Sequence, residues 1–242
     1  MKIPAEIRRE LENKIGKFNS RLIYCNEDLK NYVYLLNCSK QKYVLKIKRD
    51  NGLKIFNNEL KLRAKLQGIL EKLNIQNKFK ITEVVNFDRK QKWILFKYYQ
   101  FDSLYDILYK DSDKFSRLIT EFYDSFFLPL LKKYNQNKLI PGDFSLQDIS
   151  YKNKRFYFYD LEDEKTIARQ MTDLYAKIGK YYVKSKTKKQ KDILHKKIVE
   201  IKEFLPLSKE KLNNMIDYRM DRGTFGKYSE ERRNKIKKVL KK

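Results

Sequence analysis

Between residues 21 and 73 the chain changes its hydrophobic period, and that change limits the folds open to it. Residues 21–26, 32–37 and 42–48 read as strands; Tyr34 and Leu36, then Tyr43, Leu45 and Ile47, alternate with more polar neighbours. A period of two is the mark of half-buried strands. Residues 53–73, LKIFNNELKLRAKLQGILEKL, space their apolar side chains as a helix does, which predicts one long amphipathic helix. Two more strand-like runs, 80–87 and 92–98, flank a charged turn at 88–90. A helix at residues 4–15 precedes all of this: Pro4 suits a first turn, Ile7, Leu11 and Ile15 recur on one face, and Gly16 ends it. After residue 98 helices dominate. A short one begins at 103–108, a long aromatic-rich one covers 112–135, and the chain is helical again from about residue 169. A loop at 140–148 and a hairpin at 149–160, turning at 152–154, stand between them. The order predicts an α+β chain: an antiparallel-sheet part over 1–98 and a mainly helical part over 99–242, meeting near 98–102. The aromatic run at 122–127, FYDSFF, reads as helix-packing core.

Several classes of chemistry are excluded. Two cysteines, Cys25 and Cys38, and one histidine, His195, cannot supply a four-ligand zinc site. His195 lies in a Lys-rich helical stretch with no motif around it and reads as a solvated helix residue. The cysteines flank a turn on adjacent predicted strands and read as reduced, semi-buried thiols. No run approaches the roughly 18 apolar residues that span a bilayer. The first 18 residues are charged and lack a signal-like apolar run. A soluble, cytoplasmic chain without membrane insertion is expected.

The 56 Lys and Arg outnumber the 31 Asp and Glu, a net charge of +25. Residues 177–242 hold 22 of those cations against 8 acids. The densest clusters, KSKTKKQK at 184–191 and RRNKIKK at 232–238, are broken or followed by Ile236, Val239 and Leu240 at helical spacing. They therefore read as basic faces of folded helices. Such a surface attracts polyanions: nucleic acid, anionic lipid or a phosphorylated glycan. Lys186, Lys188, Lys189, Arg232, Arg233, Lys237 and Lys238 are the candidate contacts.

Neither G-x-x-x-x-G-K-[ST] nor G-x-G-x-x-G occurs, so no glycine fingerprint handles a phosphate here. Other residues suit that work. Lys46 ends the apolar strand YVLK, and Glu59 lies early in the long helix that follows. A strand lysine and a helix glutamate that meet form an ion pair able to fix the ammonium on phosphate oxygens. Asp143 and Asp148 lie in IPGDFSLQDIS, and Asp160 follows the hairpin in FYFYDLED. Three carboxylates around one loop and hairpin offer a hard-cation site and a base.

This order resembles the protein-kinase-like fold, above all its small-molecule and atypical branches: aminoglycoside phosphotransferases, choline kinases, lipopolysaccharide core kinases and the Bud32/RIO-like group. YVLK resembles the strand-lysine motif, WILFKYYQFDSLYDIL the strand and hinge between lobes, PGDFSLQDI the catalytic loop, YFYDLED the metal-binding Asp motif, and MTDLYAKIG around Asp173 the helix after it. The likeness covers about residues 17–185. It implies a two-lobed fold, an antiparallel-sheet N-lobe before a mainly helical C-lobe, that uses ATP and Mg²⁺. By the same resemblance Asp143 is the base, Asp148 and Asp160 hold Mg²⁺, and Lys46 paired with Glu59 contacts the phosphates. The backbone around Phe96 and Tyr98, over 96–99, would hydrogen-bond adenine. Pro141 stands where the family has His or another residue, Asp148 where it has Asn, and the phosphate-covering turn at 27–32 has no Gly. The acceptor expected from the charge is RNA, as in tRNA ribose 2′-kinases. A lipopolysaccharide core sugar and an RNA-binding pseudokinase are the alternatives.

Overall fold

A computed structural model of the chain describes residues 2–26, 31–39, 41–48, 52–142, 144–159, 161, 163–221 and 228–241. Two compact units divide it. One comprises residues 1–64 and 81–101, the other 65–80 and 102–242. The chain passes from the first unit to the second at 101/102, and 65–80 belong to the second.

The first unit is an antiparallel sheet of five strands. They are β1 (Phe18–Asn26), β2 (Asn31–Cys38), β3 (Lys42–Lys48), β5 (Val84–Asp88) and β6 (Trp93–Lys97), in the order β1-β2-β3-β6-β5. Helix α1 (Ala5–Ile15) lays Ile7 and Leu11 on one face, with Tyr34, Leu36, Leu45, Ile47, Trp93 and Leu95 in the same cluster. Gly16, at φ 80°, ends the helix, and its N–H returns to the Glu12 carbonyl at 3.0 Å. On the other face Ile94 and Phe96 pack with Val44, Val84 and Leu60 of α2 (Gly52–Lys72). Burial on both faces explains why β6 reads W-I-L-F with no alternation. Cys38 is half-buried as expected, whereas Cys25, near the end of edge strand β1, is exposed.

The run 80–87 is two strands, not one. β4 (Phe79–Ile81) joins β9 (Arg155–Phe158) and β8 (Ile149–Lys152) in a second sheet, while β5 pairs with β6. Thr82, between them, is buried and occupied by Arg63, which takes its carbonyl and hydroxyl at 3.1 Å each. The hairpin β8–β9 turns on Asn153 and Lys154, both at positive φ, the geometry of a two-residue hairpin loop.

In the second unit, α3 (Leu104–Lys110) starts from a capping box between Ser103 and Asp106. The helix expected over 112–135 is interrupted. α4 (Ser112–Phe122) passes through a π turn at Tyr123–Phe127 before α5 (Leu128–Lys133). Pro129 is the reason. It has no N–H for an i−4 carbonyl and its ring would strike that carbonyl; the wider turn relieves both. The extra residue also lets Phe122, Tyr123, Phe126 and Phe127 all turn inward. With Phe79, Phe144, Phe156 and Phe158 the phenylalanines among them form the aromatic core, ring centroids 4.9–6.2 Å apart. Strand β7 (Leu139–Pro141) pairs with β10 (Glu164–Thr166), so the expected loop begins two residues later than its first boundary. Helices α6 (Ile167–Lys184), α7 (Lys188–Phe204), α8 (Lys209–Met220) and α9 (Glu230–Leu240) complete the unit. Among the described residues no helix is long and apolar enough to cross a membrane.

Candidate functional site

In the sheet unit, β3 and α2 bring Lys46 and Glu59 together at 3.4 Å. They are not alone. Lys48 lies 3.5 Å from the other carboxylate oxygen of Glu59, and Arg63 lies 3.0 Å from the first. Lys46 and Lys48 share a strand face because side chains repeat every second residue; Glu59 and Arg63 share a helix face at i, i+4. Glu59 is fully buried, Lys48 and Arg63 nearly so, and Lys46 is 14% exposed. The Phe96 ring floors the cluster, 4.4 Å from the Arg63 guanidinium and 5.6 Å from the Lys46 ammonium. Burial alone would raise the Glu59 carboxyl, but the charges of Lys46, Arg63 and Lys48 overcome it and lower the group to about 2. Glu59 thus gathers three cations into one largely buried cluster.

Phe96 is buried beneath those cations, so its side chain supports them. Tyr98 donates its backbone N–H to the Lys42 carbonyl at 3.1 Å, and Lys97 its own to Glu83 at 3.0 Å. The sheet continues to residue 98 in hydrogen bonding, and those two donors are committed there rather than to a base. A cleft of about 400 Å³ lies beside this segment, lined by Cys38, Ser39, Gln41, Lys42, Tyr98 and Gln100.

In the helical unit, the loop after β7 is held from both sides. Gly142, at φ 111°, donates to the Asp163 carbonyl at 2.8 Å. A Cβ at Gly142 would lie 2.8 Å from the Phe144 ring, so both the conformation and the space require glycine. Gln170, fully buried on α6, donates its amide to the Gly142 carbonyl and accepts the Phe144 N–H. It thereby clamps the backbone on either side of position 143. Asp148 is half-exposed; its carboxylate takes the Ser145 hydroxyl, and its N–H returns to the Ser145 carbonyl at 3.0 Å. Asp143 and Asp160 lie outside the described residues. Among the described residues no three His, Cys, Asp or Glu cluster to hold a metal.

Behind this loop Asp173 of α6 binds Lys165 of β10 at 2.9 Å and Arg219 of α8 at 3.2 Å. Asp173 and Lys165 are buried, and the trio ties the strand after the loop to two helices. Sequence reading passed over Lys48, Arg63, Gln170 and Arg219. Only the first two left a signal, by sharing a face with Lys46 or Glu59.

The basic candidates separate into two groups. Arg233 and Lys237 are drawn inward to Asp221 and Asp217, each at 3.2 Å, and Lys241 joins Asp217 at 2.6 Å. Those three reach toward Asp217 of α8 and Asp221 just after it, in half-exposed ion pairs. Lys189 pairs with Asp113 at 2.5 Å on the surface. Lys186, Lys188 and Lys238 are exposed, and Arg232 lies over Tyr228. His195 is exposed, as expected.

A five-stranded antiparallel sheet carrying a Lys–Glu pair, followed by a helical unit with a braced loop and hairpin, is a kinase-like fold. Solved structures agree. An aminoglycoside phosphotransferase, a thermostable mutant of APH(4)-Ia in ternary complex with AMP-PNP and hygromycin B, matches with a TM-score of 0.57 at 10% identity, over 98% of each chain. An apo form of such a mutant matches with a TM-score of 0.56 at 8% identity, over 96% of this chain and 98% of that one. No family model and no curated protein sequence matches the chain.

Proposed function

We propose that the chain is an ATP- and Mg²⁺-dependent phosphotransferase acting on a hydroxyl of a polyanionic acceptor, RNA and specifically a tRNA ribose. The observation that carries this reading is the buried cluster of Lys46, Lys48 and Arg63 around Glu59. Three cations gathered on one carboxylate, the Lys46 ammonium the most exposed of them, suit the phosphates of a nucleotide. The fold it sits in supports the reading, since the similar aminoglycoside phosphotransferase was captured with AMP-PNP and hygromycin B.

In this reading Asp143 takes the proton of the acceptor hydroxyl as its oxygen attacks the γ-phosphorus and the bond to the ADP oxygen breaks. Gln170 holds the backbone of that loop still. Asp148 and Asp160 hold Mg²⁺, and Asp148 fits the part as a half-exposed hard oxygen donor. The metal, when bound, neutralises charge on the phosphates. The net charge of +25 supports a polyanionic acceptor. Trp93, the only Trp, is fully buried and unable to anchor the chain at a lipid surface, which favours RNA over a lipopolysaccharide core sugar.

The test is phosphate transfer from γ-labelled ATP to total tRNA, to lipopolysaccharide and to casein, with Asp143→Ala alongside. Label in tRNA that the variant loses, while it still binds ATP, is the expected result. Label in lipopolysaccharide alone would replace the acceptor. No label in any of the three, with tRNA bound tightly, would replace the enzyme with an RNA-binding pseudokinase.

A further inference from the structure

Tyr228 is ringed by cations. The Arg232 guanidinium lies 4.3 Å from its centroid, the Lys180 ammonium 5.5 Å and the Lys184 ammonium 6.0 Å. Each such contact is individually weak at a partly exposed ring. The three cations lie within about one Debye length of one another and repel. One ring therefore gathers three like charges from α6 and α9 onto one patch. Lys186 and Lys188, both exposed, extend it into the turn before α7, whose first turn carries no acidic residue.

The patch is continuous with the loop that carries Asp148. Lys180 also lies 5.7 Å from the Tyr181 ring, and Tyr181 is 5.0 Å from Tyr105. Tyr105 donates its backbone N–H to the Leu146 carbonyl at 2.9 Å, two residues from Asp148. Beside Tyr105, edge-on at 4.9 Å, stands Tyr109, 44% exposed. Rings interleaved with cations, leading to a hydroxyl-processing loop, match one ligand chemistry in particular. A single-stranded nucleic acid offers flat bases to the rings and phosphates to the cations. A phosphorylated glycan offers no flat face.

We infer that Tyr109, Lys180, Lys184, Tyr228 and Arg232 form the acceptor-docking track, which takes a single-stranded RNA segment with a base on Tyr109 and phosphates on the Tyr228 cations. The inference rests on the phosphotransferase reading only for the choice of RNA over DNA, since every ribose of RNA carries a 2′-hydroxyl.

The experiment measures binding of a labelled single-stranded RNA dodecamer by fluorescence anisotropy over a salt series. The wild type, Lys184→Ala/Arg232→Ala, Tyr109→Leu and a charge-matched control in the β5–β6 turn, Arg89→Ala/Lys90→Ala, are compared. The docking double variant is expected to bind at least tenfold more weakly, with a log–log salt slope shallower by about 1.4, two contacts at about 0.7 each. Tyr109→Leu is expected to weaken binding severalfold with the slope unchanged, and the control to stay close to wild type. Equal binding by wild type and both docking variants, an equal loss in the control, or a preference for duplex RNA would overturn the inference. So would binding of a phosphorylated oligosaccharide through Lys184 and Arg232 with no binding of RNA. The two readings fail separately. Docking as expected without transfer of label from ATP keeps the track and removes the kinase; transfer to RNA undiminished in the double variant at subsaturating RNA does the reverse.

Discussion

Replacing Glu59 with Gln leaves Lys46, Lys48 and Arg63 gathered around an amide. The carboxyl, ordinarily at 4.5, is lowered to about 2 in the folded chain. A depressed carboxylate contributes its stability in full above its unfolded value and loses it as pH falls through the folded one. The contribution is therefore complete above pH 4.5 and disappears toward pH 2. At about 1.4 kcal/mol per tenfold change in proton affinity, that interval is worth about 3 kcal/mol. Stripping a buried ion pair of one partner costs about 3–5 kcal/mol, an independent figure that agrees. Trp93 supplies the assay, as the only Trp and fully buried in β6 of the same unit. Its fluorescence against urea should show Glu59→Gln about 3 kcal/mol less stable than wild type at pH 7. The gap should narrow steadily below pH 4.5. Adding Lys48→Met to Glu59→Gln should recover part of the loss by removing an uncompensated cation. A gap that does not change with pH, or one below about 1 kcal/mol at neutral pH, would refute the electrostatic account of the cluster.

Gln170→Leu should lower kcat at least tenfold with KM for ATP unchanged, because it frees the backbone around position 143 and leaves the sheet unit alone; Gln170→Glu, which still accepts the Phe144 N–H but no longer donates to Gly142, should fall between, and equal kcat across the three would remove its positioning role. Asp173→Asn should cost about 3–5 kcal/mol by leaving Lys165 and Arg219 without their carboxylate, seen as a drop of roughly 10 °C in thermal denaturation; a drop under 2 °C would mean the trio is solvated in solution.

Two of the basic candidates face a neighbouring helix, which spacing along the chain does not show. RRNKIKK reads as a basic face because spacing shows which residues share a side of a helix, not what that side meets. Asp217 of α8 and Asp221 just after it meet part of it, pairing with Lys237 and Arg233. Arg232, one residue earlier, points to Tyr228 instead. The interrupted helix is a different case. Pro129 was visible in the sequence, and only the aromatic packing decided whether the chain would kink, end or widen at it.

Local order came from the sequence itself. Periods of two and 3.6, Gly16 and the turn at 152–154 depend on backbone geometry and burial of near neighbours, which the sequence records directly. So did the meeting of Lys46 with Glu59, because a strand and the helix after it have few ways to pack. Tertiary structure alone added Lys48 and Arg63 to that pair, placed Gln170 across the loop, and set Asp173 between Lys165 and Arg219. Apart from Arg63 with Glu59 at i, i+4, those contacts join residues on different elements, and their energy comes from removing charges and amides from water together. A linear pattern shows which side chains are apolar; only the folded chain shows which polar ones are left to satisfy each other.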